Sequence, residues 1–304
     1  MASDAGKSTP PQAAVRAAAG ADASRVAHVP ADWSVWAFSD PHGVMSGLTV
    51  ALREAGIVDQ DLHWSAPAGT ALVGCGDYLD RGADSRGVVA LLRRLQGEAA
   101  AAGGVAVLAR GNHEHLLHGL ITGAASDFDT WLQYGGEATL QSYGIRGLDP
   151  ADRRGSVAAI EGEAPGITRW METLPHAIRW RDILFVHGGL VPGTGLDDLG
   201  RTTFRHLTIR GDFFDTPWRS GAFAAYEAAG IERVVFGHTP QARGIRSAHD
   251  GRSLAIDTNA CGNPGMAADA SRMISLVRLA GDLALEDAPL VVVPTEGAPD
   301  RSRD

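Results

Sequence analysis

Six times along this chain a short apolar run breaks off at a cluster of polar residues and glycine. Val35 to Phe38 is followed by Ser39-Asp40-Pro41-His42-Gly43, and Thr70 to Val73 by Gly74-Cys75-Gly76-Asp77. Val105 to Leu108 is followed, one residue on, by Arg110-Gly111-Asn112-His113-Glu114. Ile183 to Val186 meets His187-Gly188-Gly189, Arg233 to Phe236 meets Gly237-His238-Thr239, and Ser253 to Ile256 meets Asp257-Thr258. Short apolar runs bounded by such residues read as strands. Helical patterns at Gly47 to Ala55 and Ser85 to Glu98 separate the first few. Strands alternating with helices predict an α/β fold. Ligands in such sheets bind beyond the carboxyl ends of the strands, and the first five of these strands deliver the candidate His, Asp or Asn ligands there.

The rest of the chain sets limits. Of 304 residues, 44% are hydrophobic and 21% charged, enough for a large core. One folded domain over 32–293 is expected, between an Ala/Pro/Ser/Gly-rich tail (1–31) and a short tail (294–304). No apolar run reaches the ~18 residues of a membrane span, and the N-terminal segment lacks an apolar signal core. The net charge of −9 argues against nucleic acid or anionic membrane as partner. Cys75 and Cys261 alone make no disulfide framework, so a cytoplasmic location fits. The oligomeric state stays open. Residues 115–180 carry helical spacing at Phe128, Trp131, Leu132, Leu140 and Tyr143. They are expected to form a helical insertion beside the site, as a wall of the substrate groove or as plain core. Trp131, Trp170, Trp180 and Trp218 are read as core.

Asp40, His42, Asp77, Asn112, His187 and His238 form a mixed oxygen and nitrogen donor set, which suits Mn, Fe, Co or Zn. In a two-metal site the ions lie ~3.5–4 Å apart and clamp both oxygens of an in-line displacement. Asp77 is central in the series and is the natural bridge. Asp40 and His42, two apart on an extended strand end, point to one side as ligands of one metal should. Asn112, His187 and His238 would complete the second. Flanking glycines let the loop tips approach one another closely. The Cys75-to-Arg81 spacing matches a tyrosine-phosphatase nucleophile loop, but Asp77 and Asp80 inside it would repel a phosphate dianion. Cys75 is therefore read as packing.

Asp40-Pro41-His42-Gly43, Gly76-Asp77-Tyr78-Leu79-Asp80-Arg81-Gly82, Gly111-Asn112-His113-Glu114, His187-Gly188-Gly189 and Gly237-His238-Thr239-Pro240 resemble the five ordered motifs of the calcineurin-like metallophosphoesterases. The pairing of GDxxDRG with GNHE is similar to the PPP-type phosphatases, which include phosphoprotein Ser/Thr phosphatases and symmetrical diadenosine tetraphosphate hydrolases. WLQYGGEATLQSYG (Trp131 to Gly144), Leu207-Thr208-Ile209-Arg210 and Ile256-Asp257-Thr258 resemble the bacterial members.

The resemblance implies a sandwich of central sheets flanked by helices, holding two divalent metal ions, Mn first and Fe, Zn or Co as alternatives. Asp40, His42 and Asp77 would bind one metal, and Asp77, Asn112, His187 and His238 the other. A hydroxide shared by the metals would attack phosphorus directly. His113, held by Asp80, would protonate the leaving oxygen, and Arg81 and Arg210 would bind the phosphoryl oxygens. The expected substrate is phosphoserine or phosphothreonine in a protein. The alternatives are a phosphorylated small molecule, diadenosine tetraphosphate above all, and, remotely, a non-catalytic binding module. Glu114 reads either as a partner supporting the ligands or as a negative charge at the start of a helix, and the helix role is preferred. Two positions depart from the family pattern. Ser39 replaces a common Gly, with little effect expected. Asn259 replaces the Gly of IDTG, where Asn tolerates positive φ but would alter specificity if it lies on the substrate rim.

Overall fold

A computed structural model describes residues 26–124, 127–146, 152–200, 203–263, 265–267, 269–279 and 284–295. In chain order the strands are β1 (Val26–His28), β2 (Ser34–Phe38), β3 (Thr70–Gly74), β4 (Val105–Leu108), β5 (Ala177–Trp180), β6 (Ile183–Val186), β7 (Arg233–Phe236), β8 (Arg246–Ala248), β9 (Ser253–Ala255), β10 (Met273–Leu279) and β11 (Leu290–Pro294). They form a five-stranded sheet, β11-β10-β2-β3-β4, and a six-stranded sheet, β1-β5-β6-β7-β9-β8. Within the first, β2, β3 and β4 are parallel; within the second, β6, β7 and β9 are parallel.

Side-chain alternation explains the layering. Val35, Ala37, Ala71 and Val73 of the first sheet meet Ile183, Phe185 and Val235 of the second in one core. Their neighbours Phe38 and Leu72 turn to a helical layer outside the first sheet. Leu184, Val186, Val234 and Phe236 turn to Phe213, Trp218, Phe223 and Tyr226 outside the second. Both faces of every central strand are therefore buried, which is why the sequence shows unbroken apolar runs rather than alternation.

The outer layer of the first sheet begins with α1 (Met45–Glu54) and α2 (Ser85–Ala101). Asp84 caps α2 by accepting a hydrogen bond from Gly87 N at 2.8 Å. Val88, Val89, Leu91, Leu92, Leu95 and Ala99 give α2 its buried face. Between β4 and β5 lie the helices of the expected insertion: α3 (Asn112–Thr122), α4 (Phe128–Gln133), α5 (Gly136–Ser142), α6 (Arg153–Glu163) and α7 (Ile167–Thr173). Three short helices follow β6: α8 (Thr203–Thr208), α9 (Gly211–Phe214) and α10 (Ala224–Ala228). No described helix is long and apolar enough to cross a membrane.

The tail boundaries need correction. Val26–His28, placed in the N-terminal tail by composition, pair in parallel with β5 as β1. Three residues at a sheet edge carry too little pattern to show a period. At the other end β11 runs to Pro294, and Thr295 is buried with its hydroxyl donating to Ala260 O. Residues 1–25 and 296–304 lie outside the described residues.

Asp182 ties the amino ends of β6 and β7. Its carboxylate accepts from Arg233 Nε at 2.6 Å and Nη2 at 2.8 Å. Its carbonyl accepts from Glu232 N and Arg233 N. Partial burial opposes the charge, but the Arg233 guanidinium holds the Asp182 carboxyl below its ordinary value. A depressed folded pKa stabilises above the unfolded pKa of about 4 and loses that stabilisation as pH falls through the folded value. Asp182→Asn should therefore cost about 1 kcal/mol at neutral pH in urea denaturation. The gap from wild type should shrink as the pH is taken below 4.

Candidate active site

The carboxyl ends of the two parallel triplets meet, and backbone groups from each sheet bind the other. His238 N, beyond β7, donates to both carboxylate oxygens of Asp40, beyond β2, at 3.1 and 3.0 Å. His187 Nδ1, beyond β6, donates to Cys75 O, beyond β3, at 2.8 Å. A Cβ at Gly237 would collide with Ser39 Oγ and Asp40 Oδ2, so a side chain there would push the sheets apart. The backbone at this junction is unusual. Asp40, His42, Asp77, Asp80, Arg81, His238 and Asn259 have φ between 40° and 71°, a region that L side chains rarely adopt.

Asp77 lies at the centre, as the sequence implied. Its Oδ2 is 3.3 Å from His187 Nε2, 3.6 Å from His42 Nε2 and 3.7 Å from His113 Nε2. His42 Nε2 is also 3.9 Å from Asp40 Oδ1, and His187 Nε2 is 2.9 Å from Asn112 Oδ1. His42, Asp77 and His113 bring ligand atoms within 4.8 Å of one another, as do Asp77, His187 and His238. All six expected ligands are buried together.

The donor set fits divalent metals. His42 Nδ1 donates to Leu79 O at 2.9 Å and His187 Nδ1 to Cys75 O. This fixes both rings with Nε2 facing the carboxylates, the usual arrangement of metal-ligating histidines. The Nε2 distances to Asp77, 3.3 and 3.6 Å, exceed those of charge-assisted hydrogen bonds, about 2.7–2.9 Å. Arg210 Nε donates to His238 Nε2 at 3.0 Å. Burial and the Arg81 guanidinium hold His42 well below its ordinary pKa, so it stays a neutral ligand. Burial and His187 do the same for His238. Burial opposes charge on His187, but Asp77 raises it to about 9. A cation bound between them would displace that proton.

His113 is built differently. Its Nδ1 is 2.7 Å from Asp80 Oδ2 and its Nε2 is 3.4 Å from Arg81 Nη2. Burial opposes its protonation, yet Asp77 and Asp80 raise its pKa. The Arg81 guanidinium beside Nε2 disfavours a further cation there. Asp80 is fully buried and faces His113. Arg210, capping the start of α9, is exposed and reaches the site beside His238, so both expected arginines stand at its rim.

Several contributors escaped the sequence reading. Ser39 is more than a passive substitute for Gly: its hydroxyl donates to Asp40 Oδ2. Glu114 does more than start a helix. It is buried and accepts from Gly111 N (2.9 Å), Asp77 N (3.0 Å) and Tyr78 N (2.8 Å), so one carboxylate grips the loops after β3 and β4. Burial and Asp77 push it up to about 7. Asp257 is a further buried carboxylate, raised to about 6 by burial, whose charge acts on Asp40. Trp131 joins the site: its indole N–H donates to Asp80 Oδ2 at 2.9 Å. Trp170, Trp180 and Trp218 are core, as expected.

Asn259 keeps the turn, at φ 63, but is buried and bound to its own loop through Asn263 N and Ser271 O, so it does not line the rim. Cys75 is buried in the inter-sheet core, and burial raises its thiol pKa, which removes it as a nucleophile.

A family model described as calcineurin-like phosphoesterase matches residues 34–266. Shewanella-like protein phosphatase 2 of Arabidopsis thaliana is 24% identical over 273 residues, 73% of this chain and 70% of the relative. Serine/threonine-protein phosphatase 1 of Salmonella typhimurium is 38% identical over 104 residues, 34% of this chain and 39% of the relative. Among solved structures, a cold-active protein-tyrosine phosphatase of a psychrophilic Shewanella species superposes with a TM-score of 0.61 at 21% identity, over 84% of this chain and 77% of that one.

Glu114 gives a direct test. In Glu114→Gln an amide NH2 would face N–H donors inside the protein. The variant should lose about 2–4 kcal/mol in thermal unfolding measured with chelator. Its metal affinity by calorimetry should fall about 10–100-fold.

Proposed function

The chain belongs to the calcineurin-like phosphoesterase family, and we propose that this metal-dependent phosphoesterase dephosphorylates phosphoserine and phosphothreonine in proteins. Asp40, His42 and Asp77 would hold one ion, and Asp77, Asn112, His187 and His238 the other. Two such ions supply Lewis-acid polarisation and activated water. Arg81 and Arg210 bind the phosphoryl oxygens with guanidinium donors, whose fork matches phosphate geometry. His113 delivers a proton from Nε2 to the leaving oxygen, with Nδ1 held by Asp80.

The observation that carries this reading is the buried Asp80–His113 pair, ending 3.4 Å from the Arg81 guanidinium. A serine or threonine alkoxide is a poor leaving group and needs a well-aimed acid; a phenolate, with a pKa of about 10, needs it less. The name of the Salmonella relative agrees with this substrate class.

A second reading, phosphotyrosine, has its own support. The Tyr134 ring is exposed and its centroid lies 5.9 Å from that of His113, where an aryl leaving group would stack. The solved Shewanella neighbour is titled a tyrosine phosphatase.

Initial rates in one competition assay separate the readings, with Mn²⁺ supplied and a chelated control. The pool would hold phosphoserine, phosphothreonine and phosphotyrosine peptides and diadenosine tetraphosphate. The seryl and threonyl peptides should turn over fastest. A lead for the tyrosyl peptide would move the assignment to the second reading, and a lead for ADP formation would move it to nucleotide hydrolysis. In the same assay His113→Asn should lower kcat by about 10²–10⁴, and Asp77→Asn should abolish turnover.

A further inference from the structure

We infer that Trp131 and Thr139, on the helical wall, are positioning residues that aim the His113 acid through Asp80. This rests on the reading of His113 as proton donor. Asp80 Oδ2 accepts from His113 Nδ1 at 2.7 Å and from Trp131 Nε1 at 2.9 Å. Its other oxygen, Oδ1, accepts from Thr139 Oγ1 at 2.6 Å. The same Thr139 oxygen accepts from Asp80's own backbone N at 2.9 Å, as does Ser85 Oγ at 3.0 Å. Trp131, Thr139, Asp80 and Ser85 have no exposed surface, and His113 is 1% exposed.

Both carboxylate oxygens are thus pinned by side chains from α4 and α5, and the main chain is pinned with them. Asp80 needs this support, because its φ of 71° is not one its own backbone prefers. The indole is itself wedged: a Cβ on Gly136 would collide with its ring, and Phe128 packs edge-on with centroids 5.8 Å apart. A buried tryptophan usually finds some partner for its N–H, and the other core tryptophans do so elsewhere, on Ala66, Gln96, Pro30 and Glu227. Trp131 differs because its partner is the carboxylate that orients the acid, and Thr139 makes an independent contact to that carboxylate's other oxygen. Without these donors Asp80 can rotate about its side chain and His113 Nε2 drifts from the leaving oxygen. A misplacement of about 1 Å can cost 10²-fold in rate.

The test is leaving-group dependence. The Mn²⁺-loaded enzyme is given aryl phosphates whose phenols range from strongly acidic up to that of tyrosine, pKa about 10. An aimed acid makes log kcat nearly independent of that pKa, and a misaimed one makes it fall steeply. Trp131→Phe and Thr139→Val should steepen the slope, with losses of a few-fold for the best leaving group and about 10²-fold for the worst. Thr139→Ser keeps the hydroxyl and should restore the wild-type slope. A fold defect lowers all substrates by one factor. If His113→Asn steepens the slope while both wall variants leave it unchanged or lose uniformly, the inference is overturned. If His113→Asn itself leaves the slope flat, the acid assignment fails, and the inference falls with it.

Discussion

A carboxylate removed from water must be met by donors or cations, and this molecule buries five within one junction. Asp40, Asp77, Asp80, Glu114 and Asp257 are each at most 5% exposed. Four have donors of ordinary geometry. Backbone amides serve Glu114, Asp40 and Asp257, and Trp131, Thr139 and His113 serve Asp80. Asp77 has the His113 N–H on Oδ1, but its Oδ2 sees only imidazole nitrogens at 3.3 to 3.7 Å. Asp77 Oδ2 thus keeps ligand-like company, and the carboxyl ends of the parallel strands of both sheets meet around it. Paired buried charges contribute little stability for their desolvation cost, so the junction is better understood as built for chemistry than for folding.

Much of this was legible in the sequence, and the reason is local. β2, β3, β4, β6, β7 and β9 are buried on both faces, so their apolar runs were complete. The ligands sit within a few residues of those strand ends, where spacing alone reveals them. What stayed hidden depends on contacts between distant residues. Trp131 touches Asp80 across 51 positions and Glu114 touches Asp77 across 37, and nothing in either local pattern announces a partner. Asp257 ends a strand just as the expected ligands do, and that placement was a signal left unused. β1 and β8 are three-residue edge strands, and β10 and β11 have no polar cluster to mark them. Those were illegible for want of length or punctuation.

The wall between β4 and β5 joins two tasks on one short stretch. Trp131 faces inward to the acid pair, while Tyr134, three residues on, is exposed beside the His113 ring. Gly135 O accepts the Arg81 N–H at 3.0 Å, so the same segment also steadies the backbone of Arg81. Changes that reshape this rim therefore pull on the Asp80–His113 pair as well.

The left-handed residues at the junction carry a cost of their own. Six of the eleven non-glycine residues with positive φ among the described residues (Asp40, His42, Asp77, Asp80, Arg81 and His238) belong to the site, and each such residue costs of order 1–3 kcal/mol, somewhat less for Asp. Glycine would relax every one of them while destroying the chemistry. Thermostability and activity are thus set against each other at individual backbone positions. A lineage freed from selection for catalysis would gain heat resistance simply by letting these residues decay, and an unusually robust homologue with glycines at these places would be one that has given up its reaction.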